Sequence, residues 1–184
     1  MSSNSSDEID RDNITDRSIG ASDLDRDFRR EVMAHEDAEQ LNHCFACGSC
    51  TAGCPVHEVF PEFSPKKFAM MVKLGMRAEV LSSPYIWYCT ACHSCEQHCP
   101  QNVQFFQILN VLKNMAVAEG YAPYPWILQT RNIARTGMVF RSDPSWEEKR
   151  RALSLPVLKL DSDRAGLIIK LSGLDKIVAK RGHR

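Results

Sequence analysis

The 184 residues contain eight cysteines, all within two strings of one design. The first runs Cys44-Phe45-Ala46-Cys47-Gly48-Ser49-Cys50-Thr51-Ala52-Gly53-Cys54-Pro55. The second runs Cys89-Thr90-Ala91-Cys92-His93-Ser94-Cys95-Glu96-Gln97-His98-Cys99-Pro100. Both read C-x2-C-x2-C-x3-C-P, a run that binds [4Fe–4S] cubes. A cube has four irons, each needing one thiolate. Three cysteines two residues apart can wrap three corners, and the fourth corner must be met from elsewhere. In paired runs of this kind, the fourth cysteine of each serves the other cube. Cys44, Cys47, Cys50 and Cys99 are therefore expected to hold one [4Fe–4S] cluster. Cys89, Cys92, Cys95 and Cys54 are expected to hold a second. Pro55 and Pro100 fix φ after each crossed ligand and turn the chain away.

Other uses of cysteine fit less well. Zinc sites pair C-x2-C steps at four ligands per ion, without a third step or a following proline. Disulfides suit short secreted chains, and the polar, acidic start Met1-Ser2-Ser3-Asn4-Ser5-Ser6-Asp7 reads as neither a signal nor a transit peptide. No apolar stretch approaches the roughly 18 residues that would suggest a bilayer span. A cytoplasmic chain with reduced, iron-bound thiolates is expected, with no membrane span.

The thiols must be positioned by the elements around them. Residues 1–21 read as a disordered acidic arm, rich in Ser, Asp and Asn. Residues 22–140 read as the cluster-binding domain, and 141–184 as a helical, basic docking extension. Net charge is formally zero, which argues against a nucleic-acid partner. The neutrality hides a split. Acids outnumber bases more than twofold in 1–43, and bases outnumber acids in 141–184.

Ser22 with Asp25 resembles a capping box. Leu24, Phe28 and Val32 then predict one helix to about Leu41, packed on its own core or docking a partner. Ser64-Pro65 predicts an N-cap and a first-turn proline. The helix that follows should bury Phe68, Met71, Val72 and Leu74 and stop at Gly75. A shorter turn from Met76 to Leu81 and a Ser83-Pro84 start lead into Cys89. The clearest predicted helix runs from Val103 to Glu119, ends at Gly120, and is apolar around more than half its girth. Further helices are expected from Trp126 to Arg135, after Asp143-Pro144, and on both sides of Gly173. No strand alternation flanks the cysteines, so the fold class is all-α: a helical ferredoxin-type module with terminal extensions.

Gly48 and Gly53 should let the first loop approach sulfur closely. The second loop carries His93, Glu96 and His98 instead, so its cluster should sit at a different potential. With eight thiols complete, His43 and His93 read as neighbours rather than ligands. Trp87 and Tyr88 read as packing against water. No G-x-G-x-x-G or P-loop occurs, so no flavin, nicotinamide or nucleotide site is evident.

The segment His43 to Val56 resembles the first motif of the C subunit of heterodisulfide reductase from methanogenic archaea. Ile86-Trp87-Tyr88-Cys89-Thr90-Ala91-Cys92 and the rest of the second run resemble its second motif. The likeness covers about residues 24–140. It implies a helical ferredoxin fold with two [4Fe–4S] clusters. It also implies a relay of electrons from a flavin-containing, electron-bifurcating subunit to a catalytic subunit. That catalytic subunit reduces the coenzyme M–coenzyme B heterodisulfide on non-cubane clusters. A hydrogenase or formate dehydrogenase would stand further upstream. Non-cubane sites need adjacent cysteines. This chain has no Cys-Cys pair, so it is expected to be the electron-transfer part of an oxidoreductase without a substrate site of its own. Alternatives are the iron–sulfur subunit of another complex (of succinate, fumarate, glycolate or sulfur-metabolising type) and a free ferredoxin.

Overall fold

Residues 20–140, 143–157 and 161–180 are described by a computed structural model, and among them every regular element is helical. The acidic arm expected at 1–21 and the basic end at 181–184 lie almost wholly outside the described residues.

The single helix expected from Ser22 to Leu41 is replaced by three short pieces. A 3-10 turn at Ala21–Asp23 precedes α1 (Phe28–Met33), and a 3-10 helix follows at Glu36–His43. Asp25 supplies the physical reason. Its backbone N–H donates to the Gly75 carbonyl at 2.8 Å, and its Oδ1 accepts from the Asp27 and Phe28 N–H groups. The carboxylate thus caps α1 from outside instead of joining a helix begun at Ser22. His35 is extended and breaks the helix again. These breaks let Phe28, Val32, Ala38 and Leu41 all become buried. Of the two expectations for this stretch, packing on the chain's own core is the one realised.

The first cysteine run contributes α2 (Ser49–Ala52) and α3 (Pro55–Val59). Helix α4 (Pro65–Lys73) begins as expected, with Ser64 Oγ accepting from the Lys67 N–H at 3.2 Å and Pro65 in the first turn. It buries Phe68, Ala69 and Val72, whereas Leu74 is 61% exposed and is no part of the buried face. The chain turns there at Gly75, where φ is +80° and an added Cβ would collide with the Asp25 carbonyl oxygen. Helix α5 (Arg77–Leu81) and a 3-10 helix at Pro84–Tyr88 lead to the second run, which carries α6 (Ser94–Gln97).

Helix α7 (Phe105–Ala118) is the central element, packed against α1, α5, α6 and both longer 3-10 helices. Ile108, Leu109 and Leu112 are fully buried, each contributing roughly 1.5–3 kcal/mol of transfer free energy. Arg77 ties the outside of this core together. It reaches Asp25, Glu31 and Glu119 from α5, and its guanidinium lies 5.3 Å from the Phe28 ring centroid.

Beyond α7 come α8 (Tyr124–Thr136), α9 (Pro144–Ala152), α10 (Ser162–Leu171) and α11 (Leu174–Lys180). Helices α8, α10 and α11 pack on one another. Trp126 of α8 meets Trp87 at 5.8 Å between ring centroids, next to the core.

Candidate metal centre

The two runs fold into near-copies of one loop. Ala46 and Ala91 both take positive φ, at +62° and +56°. Gly48 and His93 do so next, at +90° and +61°, and the one-turn helices α2 and α6 follow. Glycine occupies that second left-handed position at no steric cost; histidine there costs about 1 kcal/mol. The His93 side chain offsets this. Its Nδ1 donates to Glu96 Oε2 at 2.7 Å, and its ring lies 4.3 Å from that of Phe106.

Helices α2 and α6 pack against each other, bringing the runs face to face. Gly53 is needed for space rather than for φ, which is −90° there. A Cβ on it would stand 3.1 Å from the His98 ring. That ring is held by its own Nδ1, which donates to the Ser94 carbonyl at 2.7 Å. The residues before the two fourth cysteines therefore pack ring on backbone.

All eight cysteines are free thiols. Cys44, Cys47, Cys50 and Cys99 line one cavity, with Phe45, Lys66 and Val103 in its wall. Cys54, Cys89, Cys92 and Cys95 line a second, with Val56, His93 and Phe106. Each cavity takes three thiols from one run and the fourth from the other. Phe105, at the start of α7, lines both and forms their common wall.

The thiols are not equivalent. Ser49 and Ser94 hydroxyls lie 3.4 Å from Cys47 and Cys92 Sγ and hold both thiols below the ordinary range. These two are the exposed cysteines. Burial pushes the Cys50 thiol up and the Cys95 thiol up to about 12. Metal-free, the inner thiols therefore keep their protons, and metal binding would release them.

The residues present fit an iron–sulfur cube in each cavity. Four soft donors surround each space, backed by apolar side chains. Among the described residues, no group of three or more His, Cys, Asp or Glu is placed to hold a single metal ion. A four-thiolate zinc site would need its sulfurs drawn in to about 2.3 Å from one point. His43 is exposed, and His93 is engaged with Glu96. Trp87 is half-buried against the core, as expected of packing.

Several residues near the thiols were not evident in the sequence. Lys73 Nζ donates to the Cys44 carbonyl at 2.6 Å. The Val103 N–H donates to Cys99 Sγ at 3.2 Å. Lys113 is half-buried near Cys89, with its ammonium 6.0 Å from the Trp87 ring centroid, and burial lowers its pKa. Lys66 and Lys73 stand seven residues apart, two turns along α4, and that shared face was the one available signal.

Residues 40–103 match the family model described as a 4Fe-4S dicluster domain. The chain is 25% identical over 167 residues to the C subunit of the H(2):CoB-CoM heterodisulfide,ferredoxin reductase of Methanothermobacter marburgensis, covering 87% of this chain and 89% of that one. It is 28% identical over 155 residues to the second iron-sulfur C subunit of the CoB--CoM heterodisulfide reductase of Methanocaldococcus jannaschii, covering 80% and 82%. It is 36% identical over 92 residues to an Archaeoglobus profundus protein described as like the C subunit of heterodisulfide reductase, covering 50% and 48%. The helical scaffold, the two four-thiol cavities and the domain match define an iron–sulfur protein of the all-α ferredoxin type. Within that class, the likeness along most of the chain is to the C subunits of heterodisulfide reductases. No helix among the described residues is long and apolar enough to cross a membrane.

Proposed function

We propose that this chain relays single electrons between two partner subunits through two [4Fe–4S] clusters. Cys44, Cys47, Cys50 and Cys99 hold one, and Cys54, Cys89, Cys92 and Cys95 hold the other. The observation that carries this reading is the division of eight free thiols into two sets of four lining separate cavities. Each cluster, when bound, supplies one-electron redox chemistry. The chain's own residues hold and screen it. Phe105 lines both spaces, and Val56, Phe63 and Phe106 give the second an apolar wall. No cysteine is left over for a substrate, so disulfide chemistry belongs to another chain.

The relatives' names, which refer to CoB-CoM heterodisulfide and to ferredoxin, support a complex of the same kind. In that complex a flavin-containing, electron-bifurcating subunit donates electrons, fed from a hydrogenase or formate dehydrogenase. A catalytic subunit with non-cubane clusters accepts them and reduces the heterodisulfide. Residues 22–140 form the relay and 141–184 a docking extension, in a cytoplasmic assembly. Anaerobic co-purification with identification of the bound subunits tests this. A flavoprotein together with a subunit carrying adjacent cysteines is the expected result. A quinone-linked dehydrogenase alone, or a clean monomer, would refute it.

A further inference from the structure

The two cysteine loops share a backbone, but the charges around their cavities do not match. Lys66 stands in the wall of the first cavity, and Lys73 places its ammonium on the carbonyl of Cys44. The Val103 N–H donates to Cys99 Sγ. No Asp or Glu lines either cavity. Behind the wall of the second, Glu96 follows directly on Cys95 and meets the lining residue His93, its side chain only 15% exposed. One carboxylate oxygen accepts from His93 Nδ1, while the other is buried with no hydrogen-bond partner. Lys113 is the opposing cation, half-buried, with its ammonium 6.0 Å from the Trp87 ring centroid. The serine contacts, Ser49 on Cys47 and Ser94 on Cys92, are equal at 3.4 Å and cancel in the comparison.

Adding an electron adds a negative charge, so nearby cations and N–H donors favour the reduced state and a nearby carboxylate opposes it. We propose that Lys66, Lys73 and the Val103 amide set the first site at the higher potential and Glu96 sets the second at the lower. Electrons then enter at Cys54, Cys89, Cys92 and Cys95 and leave from Cys44, Cys47, Cys50 and Cys99. This rests on the relay reading above and gives it a direction. Lys66 is a suitable probe because its side chain is exposed. Its structural contribution is made by its backbone N–H, which donates to Thr51 Oγ1 at 2.9 Å.

The test is redox-poised EPR on the full chain, isolated anaerobically with its clusters, comparing wild type, Lys66→Gln and Glu96→Gln. Lys66→Gln should lower the higher-potential signal alone. At fixed potential its ratio of reduced to oxidised cluster should fall at least threefold, about 28 mV at 59 mV per decade for one electron. Glu96→Gln, which keeps an acceptor for His93, should raise the lower-potential signal alone. If Lys66→Gln moves the lower-potential signal, or neither variant moves either signal, the ordering is overturned while the relay stands. If the wild-type chain holds iron and sulfide for one cluster only, the relay reading itself fails and the ordering with it.

Discussion

Replacing Cys99 by Ala separates crossed from uncrossed ligation. Cys99 belongs to the second run by sequence and to the first cavity by position. Each cavity is lined by four of the eight thiols, so the variant should lose about half of its iron and acid-labile sulfide. The lost EPR signal should be the one lost in Cys47→Ala, and it should survive in Cys92→Ala. The energetics add a second readout. Under crossed ligation, the cluster joining Cys54 to Cys89 closes a loop of about 35 residues, worth about 4 kcal/mol by the loop-closure relation for cross-links. Cys99→Ala keeps that tether and should stay folded. The double variant Cys54→Ala/Cys99→Ala loses both tethers, a cost of about 4 kcal/mol against a total stability near 5–15 kcal/mol. Limited proteolysis should then cut between the runs only in the double variant. If Cys99→Ala and Cys92→Ala abolished the same signal, each run would hold its own cluster and the argument would fail.

Three further outcomes follow from the scaffold. Gly75→Ala should cost at least about 2 kcal/mol, because strain at positive φ of about 1–2 kcal/mol adds to a backbone collision, and chemical denaturation of the loaded protein would show it; an unchanged midpoint would mean that the Asp25–Gly75 contact is not formed. Leu112→Ala should cost about 2–5 kcal/mol, since Leu112 is fully buried on the central helix, while leaving the iron content of the folded protein intact. Arg77→Met should cost about 1 kcal/mol, a low figure because Glu31 is 49% exposed and screened by water. Arg77 holds the Glu31 carboxyl below its ordinary 4.5, so the pair stabilises the fold above that pH and the stabilisation fades as pH falls below it. The acid limb of a stability–pH profile should therefore flatten in Arg77→Met, and an unaltered limb would count against the ion pair.

The thiol spacing could be read from the sequence because it is set by the cofactor rather than by the fold. Ser64-Pro65, Gly75, Gly120 and Gly137 were legible as punctuation, since capping and left-handed geometry are local. The stretch from Ser22 to Leu41 departs from its sequence pattern for a non-local reason. Asp25 resembles the third helical residue of a capping box, but the Gly75 carbonyl, fifty residues later, fixes its backbone and frees its side chain to cap α1. Leu74 falls outside the buried face because the helix-period pattern runs one residue into the turn that Gly75 makes. Arg77 and Lys73 act across 52 and 29 residues of chain, and no periodicity connects such positions. The common wall at Phe105 was equally hidden, because the sequence shows an apolar helix but not which of its residues faces two sites.

His93 shows how one loop design can serve two unequal sites. The geometry of the first run is met at the same point by Gly48, at no steric cost. Keeping histidine there accepts about 1 kcal/mol of backbone strain, which metal binding by itself does not require, since the thiols are complete without it. What the strain holds in place is the Nδ1–Glu96 bond and the ring contact with Phe106. Together these keep a carboxylate, largely out of solvent, next to Cys95. A glycine would preserve the loop and release Glu96 toward water, where its field would be screened. On the proposed ordering, the departure from symmetry at this position acts on the electrostatics of the second site rather than on its shape, as a directional relay would need.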